Sequence, residues 1–439
     1  MKVLKFGGTS VGSAQRMKEV AKLICDGDRK IVVLSAMSGT TNSLVEISDY
    51  LYKKNPDGAN EIINKLALKY YDHIDELYAT DDYKQKATEL VKSHFDYIRS
   101  FTKDLFTLFE EKVVLAQGEL ISTGMMNMFL NESGVNSVLL PALDYMRTDK
   151  NAEPDPLYIK EKLSKMLEQH TDAQLFITQG YICRNPYGEI DNLQRGGSDY
   201  SASLVGAAIN SEEIQIWTDI DGMHNNDPRV VDKTAPVRNL HFEEAAELAY
   251  FGAKILHPTC ILPAKLNNIP VRLLNTMQPE APGTLISNKT EKGKIKAVAA
   301  KDNIIAIKIK SGRMLLAHGF LRKVFEIFES YQTPIDMVTT SEVGVSVTID
   351  NRKHLEEIVD DLKKYGTVTV DTDMVIVCVV GDMQWDNVGF EANIISSLKD
   401  IPVRMISYGG SNYNVSLLVK AEDKKRSLQA LSDHLFNNK

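Results

Sequence analysis

The chain has 439 residues, 43% of them hydrophobic and 25% charged, a balance typical of folded proteins that excludes wholesale disorder. Its length predicts more than one domain, because single domains usually hold roughly 100 to 200 residues. Lys and Arg number 51 against 59 Asp and Glu, a formal net charge of −8, so we expect no nucleic-acid partner.

The cysteines and the apolar runs bear on the cellular compartment. The cysteines are Cys25, Cys183, Cys260 and Cys378. They stand far apart without a CxxC pair, which favours reduced thiols over a zinc site or a disulfide framework. The chain reaches Gly7 and Gly8 before any apolar run long enough for a signal peptide, and no later run approaches the ~20 apolar residues of a membrane span. We therefore expect a cytoplasmic protein with no membrane partner.

Short apolar runs alternate with helical periodicity over roughly the first 290 residues. The pattern predicts strands at 3–6, 31–34, 138–140, 175–177, 214–217 and 271–274, and helices at 14–25, 43–53, 158–169, 199–209, 243–256 and 259–267. Residues 60–130 are almost entirely helical in pattern, which predicts an insertion on one side of the sheet. The alternation predicts an α/β fold, with helices covering a mainly parallel open sheet in an αβα sandwich.

The chain changes character after the polar stretch at 287–293, where we predict a domain boundary. The pattern then predicts strands at 304–309, 335–338, 343–349 and 367–370 and helices at 319–331 and 352–364, with a matching series from Val375. Gly319-Phe320 recurs 70 residues later as Gly389-Phe390. This indicates a tandem duplication of a small βαββαβ unit, which favours a small-ligand sensor over a module that only stabilises or dimerises the chain.

The predicted domains are 1–293, with the helical insertion at about 60–130, then 294–370 and 371–439. Strand exchange between the last two is an open alternative.

The first chemical motif is Lys5-Phe6-Gly7-Gly8-Thr9-Ser10, which places a cation at a strand end before two glycines and two hydroxyls. Backbone N–H groups in such a turn can approach phosphate oxygens while the ammonium balances their charge. The spacing is not that of a Walker loop, and a glycine pair after a strand is by itself usually a tight turn.

Three further motifs lie near predicted strand ends or helix ends. Arg195-Gly196-Gly197-Ser198-Asp199 offers helix-start amides for an anion and a guanidinium suited to a carboxylate, although Asp199 is equally explained by helix capping. The segment 217–229 follows a strand at the edge where open α/β sheets bind ligands, with an exposed turn as the alternative. Lys254, near the end of a predicted helix, faces either phosphate or solvent.

In this order, the motifs resemble the amino-acid kinase family, and within it the aspartate kinases. The shared motifs are KFGGTSV at 5–11, SAMSGTTN at 35–42, GE at 118–119, RGGSDYSA at 195–202, WTDIDG at 217–222, DPRVV at 227–231 and GAKILHP at 252–258. The C-terminal duplication looks like the tandem ACT domains of such enzymes, so the resemblance spans the chain. The chain ends at Lys439, before the homoserine dehydrogenase domain of bifunctional relatives, so a monofunctional enzyme is expected.

The resemblance implies transfer of the γ-phosphoryl group of ATP to the side-chain carboxylate of L-aspartate, giving 4-phospho-L-aspartate, the entry step to lysine, threonine and methionine. The implied catalytic residues are Lys5, Asp199 and Lys254, and the implied aspartate-binding residues are Thr41, Glu119, Arg195, Gly196 and Ser198. The implied nucleotide-binding residues are Gly7, Gly8, Thr9, Ser10, Thr218, Asp219, Gly222, His224, Asp227, Arg229 and Lys254. Mg²⁺ is expected to bind mainly through the nucleotide phosphates, and no metal-binding residue is assigned. His224 stands where related enzymes often carry Tyr.

The region 314–342 resembles the effector site of the lysine-inhibited aspartate kinases. Its implied effector residues are Met314, His318, Gly319, Phe320, Leu321, Asp336, Thr340, Ser341 and Glu342. Amides at the start of the helix would hold the effector's carboxylate, and Asp336 its amine. Lysine is the expected effector, with threonine as the alternative because Ala317 stands where lysine-sensitive relatives tend to have Ser. A homodimer or a dimer of dimers through the ACT domains is expected.

Two other interpretations compete with this one. A kinase acting on acetylglutamate or glutamate would share Lys5 and the glycines, but the RGGSD motif and the tandem repeat favour aspartate. A catalytically inactive kinase fold that only senses amino acids is the second, and the intact set of charged residues speaks against it.

Overall fold

The computed structural model describes residues 1–103, 105–193, 196–252, 256–311 and 318–436. The chain forms two compact units: Met1–Met223 with Leu256–Asn288, and His224–Ile255 with Lys289–Lys439. The segment 224–255, which we assigned to the first domain, is thus grouped with the C-terminal half. The predicted domain boundaries themselves stay predictions.

The strands, in chain order, are β1 (Lys2–Phe6), β2 (Lys30–Leu34), β3 (Ser137–Leu140), β4 (Leu175–Gln179), β5 (Ile182–Arg184), β6 (Ile190–Asn192), β7 (Ile214–Thr218), β8 (Asn239–His241), β9 (Val271–Asn275), β10 (Thr284–Ser287), β11 (Ile295–Lys310), β12 (Val338–Ser341), β13 (Gly344–Ile349), β14 (Thr367–Gly381), β15 (Met405–Ser407) and β16 (Asn414–Lys420). The α-helices are α1 (Ala14–Ile24), α2 (Thr40–Tyr52), α3 (Pro56–Leu77), α4 (Asp81–Ser100), α5 (Leu108–Glu132), α6 (Ala142–Tyr145), α7 (Pro156–Glu168), α8 (Gly197–Ala208), α9 (Phe242–Tyr250), α10 (Leu262–Leu266), α11 (Phe320–Ser330), α12 (Leu355–Lys363), α13 (Phe390–Ser397) and α14 (Lys424–Leu435).

The sheet of the first unit confirms the predicted parallel α/β architecture. Its strands follow the order β3-β4-β2-β1-β7-β9-β10, and only the last pair in this series, β9 with β10, is antiparallel. Every residue of β2 and β4 is buried, because helices cover both faces of a parallel sheet. The crossing helices bring the carboxyl ends of β1, β2 and β7 to one edge.

The predicted helical insertion is present as α3, α4 and α5, and its apolar faces join the core of the first unit. A capping box between Thr107 and Glu110 starts α5, which satisfies the free amides of its first turn. By length and composition α5 could cross a membrane, contrary to the expectation from sequence, although 67% of its most apolar window is buried inside the protein. Burial of that kind is typical of the core helix of a globular domain.

The second unit contains a six-stranded antiparallel sheet in the order β12-β13-β11-β14-β16-β15. Two long strands, β11 and β14, run through its centre. Residues 305–310 of β11 pair with β13, whereas residues 295–301 pair with the part of β14 that also pairs with β16. The strand that precedes the first repeat therefore completes the sheet of the second repeat.

The internal repeat is confirmed by equivalent helix starts. Gly319 and Gly389 are the N-caps of α11 and α13, with φ of 85° and 90°, a left-handed conformation that favours glycine. Each repeat has its own apolar core. Together with the parallel sheet of the first unit, this confirms the predicted fold class.

Several predicted elements differ from the structure: β11 begins at Ile295 rather than at 304, β14 runs on to Gly381, and the helix predicted at 259–267 is a 3₁₀ turn at Pro258–Ile261 followed by α10. Two further differences have a clear local cause. The helix predicted at 243–256 ends at Tyr250, because Gly252 has a φ of 115° that a helix cannot accommodate. The strand predicted at 335–338 begins only at Val338 and continues to Ser341. Both errors concern element ends, where a single glycine or a register shift outweighs the apolar pattern.

Candidate active site

Polar side chains converge at the carboxyl edge of β1, β2 and β7. Lys5, the penultimate residue of β1, places its Nζ 2.7 Å from Oδ1 of Asp199 in the first turn of α8. The two side chains are only 11% and 18% exposed. Partial burial strengthens this ion pair relative to one in water and holds the ammonium at the strand end.

The turn after β1 requires a glycine at Gly8. A Cβ on Gly8 would lie 2.8 Å from the backbone oxygen of Ala36, whereas one on Gly7 would make only ordinary contact, 3.4 Å from Nζ of Lys5. The Ser10 N–H donates to the carbonyl of Gly7 at 2.9 Å, and the Ser10 hydroxyl lies 2.8 Å from that of Thr276 at the end of β9. The close approach of the backbone is what a phosphate-binding turn requires.

The start of α8 is equally constrained. Gly196 has a φ of 72°, and a Cβ there would lie 1.8 Å from Sγ of Cys260. The hydroxyl of Ser35, just beyond β2, donates to that of Ser198 at 2.9 Å. Asp199 therefore serves both as an acidic residue in a first helical turn and as the partner of Lys5.

Glu119 lies in α5 with only 4% of its surface exposed. Its Oε1 accepts a hydrogen bond from the Ala36 N–H at 3.1 Å, whereas its Oε2 is buried without a hydrogen-bond partner in the described parts of the chain. Burial raises the pKa of Glu119 from 4.5 to about 7. The second oxygen is thus available to a cationic or hydrogen-bond-donating ligand.

The remaining predicted residues of the first unit lie in loops, at a helix start and at a strand end; Thr9, Thr41 and Asp219 are exposed, whereas Gly222 is buried. Thr9 follows the glycine pair, and Thr41 lies in the first turn of α2, after Gly39 with a φ of 82°. Thr218 ends β7, and its Oγ1 accepts from the Ile220 N–H at 3.2 Å. Asp219 is exposed beside it. Gly222, with a φ of 68°, would clash with the side chain of Thr284 if it carried a Cβ.

Three residues assigned to the nucleotide lie in the second unit. Nδ1 of His224 is 2.9 Å from the hydroxyl of Thr234. Asp227 and Arg229 form a two-point ion pair with distances of 2.9 and 2.8 Å, and the Arg229 hydrogen bond is the main reason that the pKa of Asp227 is lowered. The pair stiffens the loop, because a bidentate guanidinium contact fixes both side chains.

The predicted effector residues of the second unit lie around the start of α11 and on β12. His318 and Gly319 precede α11, Phe320 is buried and Leu321 is largely exposed. Thr340 and Ser341 end the edge strand β12, and Glu342 follows it in an exposed turn.

Asp336, the predicted amine ligand, already has partners within the chain. Its Oδ1 accepts from Nζ of Lys301 at 2.6 Å and from the hydroxyl of Tyr250 at 2.8 Å. Lys301 also bonds Asp350 at 2.9 Å and lies 4.4 Å from the Tyr250 ring centroid. Burial alone would lower the pKa of Lys301, but its bonds to the two carboxylates outweigh burial and raise it.

Arg195, Lys254 and Met314 lie outside the described residues. Several groups at the site were not predicted from the sequence, namely Ser35, the Ala36 N–H, Cys260 and Thr276, which contact the predicted residues from distant segments. Tyr181, which has a φ of 68° and whose pKa is raised to about 12 by burial and by the nearby charge of Glu119, was not predicted either. Its one sequence signal is its place directly after the strand end Gln179-Gly180. In the described part of the chain, no group of three or more His, Cys, Asp or Glu residues is placed to hold a metal ion.

Known protein families match both parts of the chain. The model of the amino acid kinase family matches residues 1–275, and that of an ACT domain matches residues 377–435. Chloroplastic aspartokinase 1 of Arabidopsis thaliana is 34% identical over 99% of this chain and 80% of its own length. Lysine-sensitive aspartokinase 3 of Escherichia coli (strain K12) is 32% identical over 99% of both chains. The crystal structure of E. coli aspartokinase III in complex with aspartate and ADP, in the R-state, has a TM-score of 0.84 and 31% identity, covering 99% of this chain and all of that one.

Proposed function

Because this chain belongs to the amino acid kinase family, and within it to the aspartokinases, we propose that the carboxyl edge of β1, β2 and β7 aligns ATP with L-aspartate. The γ-phosphoryl group passes to the side-chain carboxylate, giving 4-phospho-L-aspartate and ADP. The observation that carries the assignment of the site is the Lys5 ammonium, held at the strand end by Asp199 at 2.7 Å. This activity is the entry step to lysine, threonine and methionine.

The chemistry requires alignment and charge neutralisation more than proton transfer. A carboxylate is ionised near neutral pH, so it attacks the γ-phosphorus without a general base, while the bond from that phosphorus to the β–γ bridging oxygen breaks. Lys5 is the cation that offsets charge on the transferring group, and Asp199 orients it. Lys254, assigned through the family motif, would contact the nucleotide phosphates.

The aspartate backbone is bound by groups of opposite charge. The unpartnered Oε2 of Glu119 accepts the α-ammonium, which supplies the counter-charge that this buried carboxylate lacks. Arg195 holds the α-carboxylate in a bidentate contact, assigned by the family motif. Thr41, Gly196 and Ser198 complete the substrate side, and the αL conformation of Gly196 exposes the first amides of α8.

The nucleotide contacts the glycine turn and the strand ends. Gly7, Gly8, Thr9 and Ser10 line the phosphate path, and Thr218, Asp219 and Gly222 approach the adenosine. The nucleotide roles of His224, Asp227 and Arg229 in the second unit stay predictions from the family motifs. The exposed oxygens of Thr9 and Asp219 belong to the ligand class that Mg²⁺ prefers, so this edge fits ATP carrying its ion. Mg²⁺, held mainly by the phosphates, would neutralise part of their charge.

L-lysine is proposed as the inhibitor, acting through the second unit, with threonine as the alternative. Gly319 presents the amides at the start of α11 to a carboxylate, and Asp336 has a second carboxylate oxygen that is buried without a partner among the described residues. Exposed apolar side chains on both edge strands, Val338 and Ile406, support assembly as a homodimer or a dimer of dimers. We place this enzyme in the cytoplasm.

Hydroxamate capture of the acyl phosphate tests the activity directly. Purified protein is given ATP with L-aspartate, and in parallel with L-glutamate or N-acetyl-L-glutamate. Product from aspartate alone is expected, product only from a glutamate substrate would reassign the specificity, and no product from any acceptor would favour an inactive sensor. Repeating the assay with lysine, threonine and both identifies the effector.

A further inference from the structure

One face of helix α3, in the helical insertion, contacts both loops that line the site. Nζ of Lys69 donates to the Ser38 carbonyl at 2.6 Å, and Nε2 of His73, one turn later, lies 3.2 Å from the Gly12 carbonyl. Between them, the hydroxyl of Tyr70 lies 2.9 Å from that of Thr40. Residues at spacing i and i+4 share a helix face, so a single face supplies both loop contacts.

The two loops also contact each other. The Ser38 N–H donates to the Gly8 carbonyl at 3.1 Å, and a Cβ on Gly12 would lie 2.9 Å from Cβ of Ser38. Nδ1 of His73 is 2.7 Å from the carbonyl of Lys69, so both ring nitrogens face carbonyl oxygens, and a neutral ring can donate to only one of them. A small displacement of α3 would therefore be transmitted to both loops, because these contacts leave little free space.

Lys69 differs from the neighbouring lysines in what it binds. Lys65 on the same helix pairs with Glu61 four residues earlier, and Lys86 on α4 pairs with Asp82 in the same way. Such exposed pairs contribute little to stability. Lys69 instead directs its ammonium to a neutral carbonyl 31 residues away, in the loop between β2 and α2.

We propose that α3 is a positioning helix for phosphoryl transfer, with Lys69 placing the aspartate-binding loop 35–41 and His73 placing the phosphate-binding turn 7–12. This inference deepens the proposed function and rests on it. Loop 35–41 carries the Ala36 N–H that orients Glu119, and its last two residues, Thr40 and Thr41, begin α2. The turn 7–12 contains the glycines that we propose line the phosphates. Neither Lys69 nor His73 needs to touch a substrate.

The two contacts predict different kinetic effects from residues one helical turn apart. Loss of the Lys69 bond should mainly raise KM for aspartate, since it frees the loop on the acceptor side. Loss of the His73 contact with the Gly12 carbonyl should mainly raise KM for ATP and lower kcat, since it frees the turn at the transferring group. Misplacement of reacting groups by about 1 Å can cost on the order of 100-fold in rate, so effects of 5- to 20-fold are expected.

The test measures KM for each substrate, kcat and Tm for Lys69→Met and His73→Leu in the full-length chain. Lys65→Met is the matched control, because it removes an exposed lysine from the same helix one turn earlier. Lys69→Arg should recover most of the aspartate KM, because a guanidinium can still donate to the Ser38 carbonyl. If Lys69→Met does not yield folded protein, Lys69→Arg and Lys69→Gln are compared instead, with Gln expected to raise KM for aspartate and Arg not.

The proposal would be supported if Lys69→Met mainly raised KM for aspartate and His73→Leu mainly raised KM for ATP and lowered kcat, with Lys65→Met equal to wild type. Equal changes in kcat and in both KM values that scale with the decrease in Tm would show that α3 only stabilises the fold, and this would overturn the proposal. Wild-type kinetics in both variants would also overturn it. A wild-type protein that makes no acyl phosphate from aspartate would instead overturn the proposed function itself.

Discussion

Glu119 in the first unit and Asp336 in the second both have buried carboxylates, but the partners that offset their negative charges differ. Glu119 accepts one backbone N–H and has no cation among its described partners, so burial leaves its pKa near 7. Asp336, whose side chain is 1% exposed, is bonded by the Lys301 ammonium and the Tyr250 hydroxyl. Each keeps one oxygen buried without a partner in the described chain.

The two carboxylates should therefore respond differently to a bound amino acid. If the substrate ammonium binds at Glu119 as proposed, it would provide the counter-charge that Glu119 lacks among its described partners, and binding would relieve a cost already present in the free enzyme. A ligand ammonium at Asp336 must share the carboxylate with Lys301 and Tyr250. Tyr250 lies at the end of α9, four residues before Lys254 in the sequence, so an effector that alters this contact would act on the segment leading to the lysine that we propose binds phosphate.

Replacing one lysine in each unit, Lys5 in the first and Lys301 in the second, should give the largest difference in kcat. Lys5→Met should lower kcat about 100- to 1,000-fold, because it deletes a preorganised charge at the transferring group. Lys301→Met, the matched change beside Asp336, should alter kcat by less than about threefold, and Arg195→Ala should mainly raise KM for aspartate. Steady-state kinetics on the purified variants decide the matter. Small, equal effects from Lys5→Met and Arg195→Ala would show that their roles are misassigned.

Replacing the glycine at two helix starts with alanine distinguishes the cost of a left-handed backbone from the added cost of a steric clash. Gly389 lies in open space with a φ of 90°, so Gly389→Ala should cost about 1 kcal/mol. Gly196→Ala adds a clash with Sγ of Cys260 and should cost about 3 kcal/mol in total. Urea denaturation followed by circular dichroism compares them. Equal losses would mean that the start of α8 relaxes away from Cys260.

Glu119→Gln should weaken substrate binding and stabilise the protein at the same time. Folding raises the Glu119 pKa from 4.5 to about 7, so the folded state binds more protons than the unfolded state between these values, and stability falls as pH rises through this window. At pH 8 the variant should be about 1 to 2 kcal/mol more stable than wild type, and at pH 4.5 the gain should vanish.

In the same variant, KM for aspartate should rise about 10- to 30-fold, because the α-ammonium loses its counter-charge. For wild type, KM for aspartate should rise as pH falls below 7, when Glu119 becomes protonated. Calorimetry at several pH values and initial rates give the two readouts. A stability difference that is independent of pH would show that Glu119 does not titrate in this range.

Changes at Asp336 should affect inhibition rather than turnover. Asp336→Asn removes the charge that would bind the effector's amine, so the concentration of lysine that halves the rate should rise about 10-fold. Tyr250→Phe removes one hydroxyl contact and should shift this concentration by about threefold. The ratio of inhibited to uninhibited rate in each variant is the measurement. Unchanged inhibition in Asp336→Asn would exclude Asp336 as the ammonium ligand.

The amino-acid sequence by itself determined the parallel α/β unit, the helical insertion and the internal repeat. These features depend on interactions between residues a few positions apart, such as the helical periodicity of α3 and the left-handed glycines before α11 and α13. The glycine turn after Lys5 was predicted for the same reason, since a strand, two glycines and a helix form one local pattern.

Only the tertiary structure decided which distant groups meet. Residues 295–301 complete the sheet of the second repeat, the Ala36 N–H orients Glu119 from 83 residues away, and Lys301 and Tyr250 compensate Asp336. The contacts of Lys69 and His73 with the two loops belong to the same class. Packing selects such pairs from many chemically equivalent candidates, because no local pattern marks which of the surrounding lysines and carboxylates will be brought together.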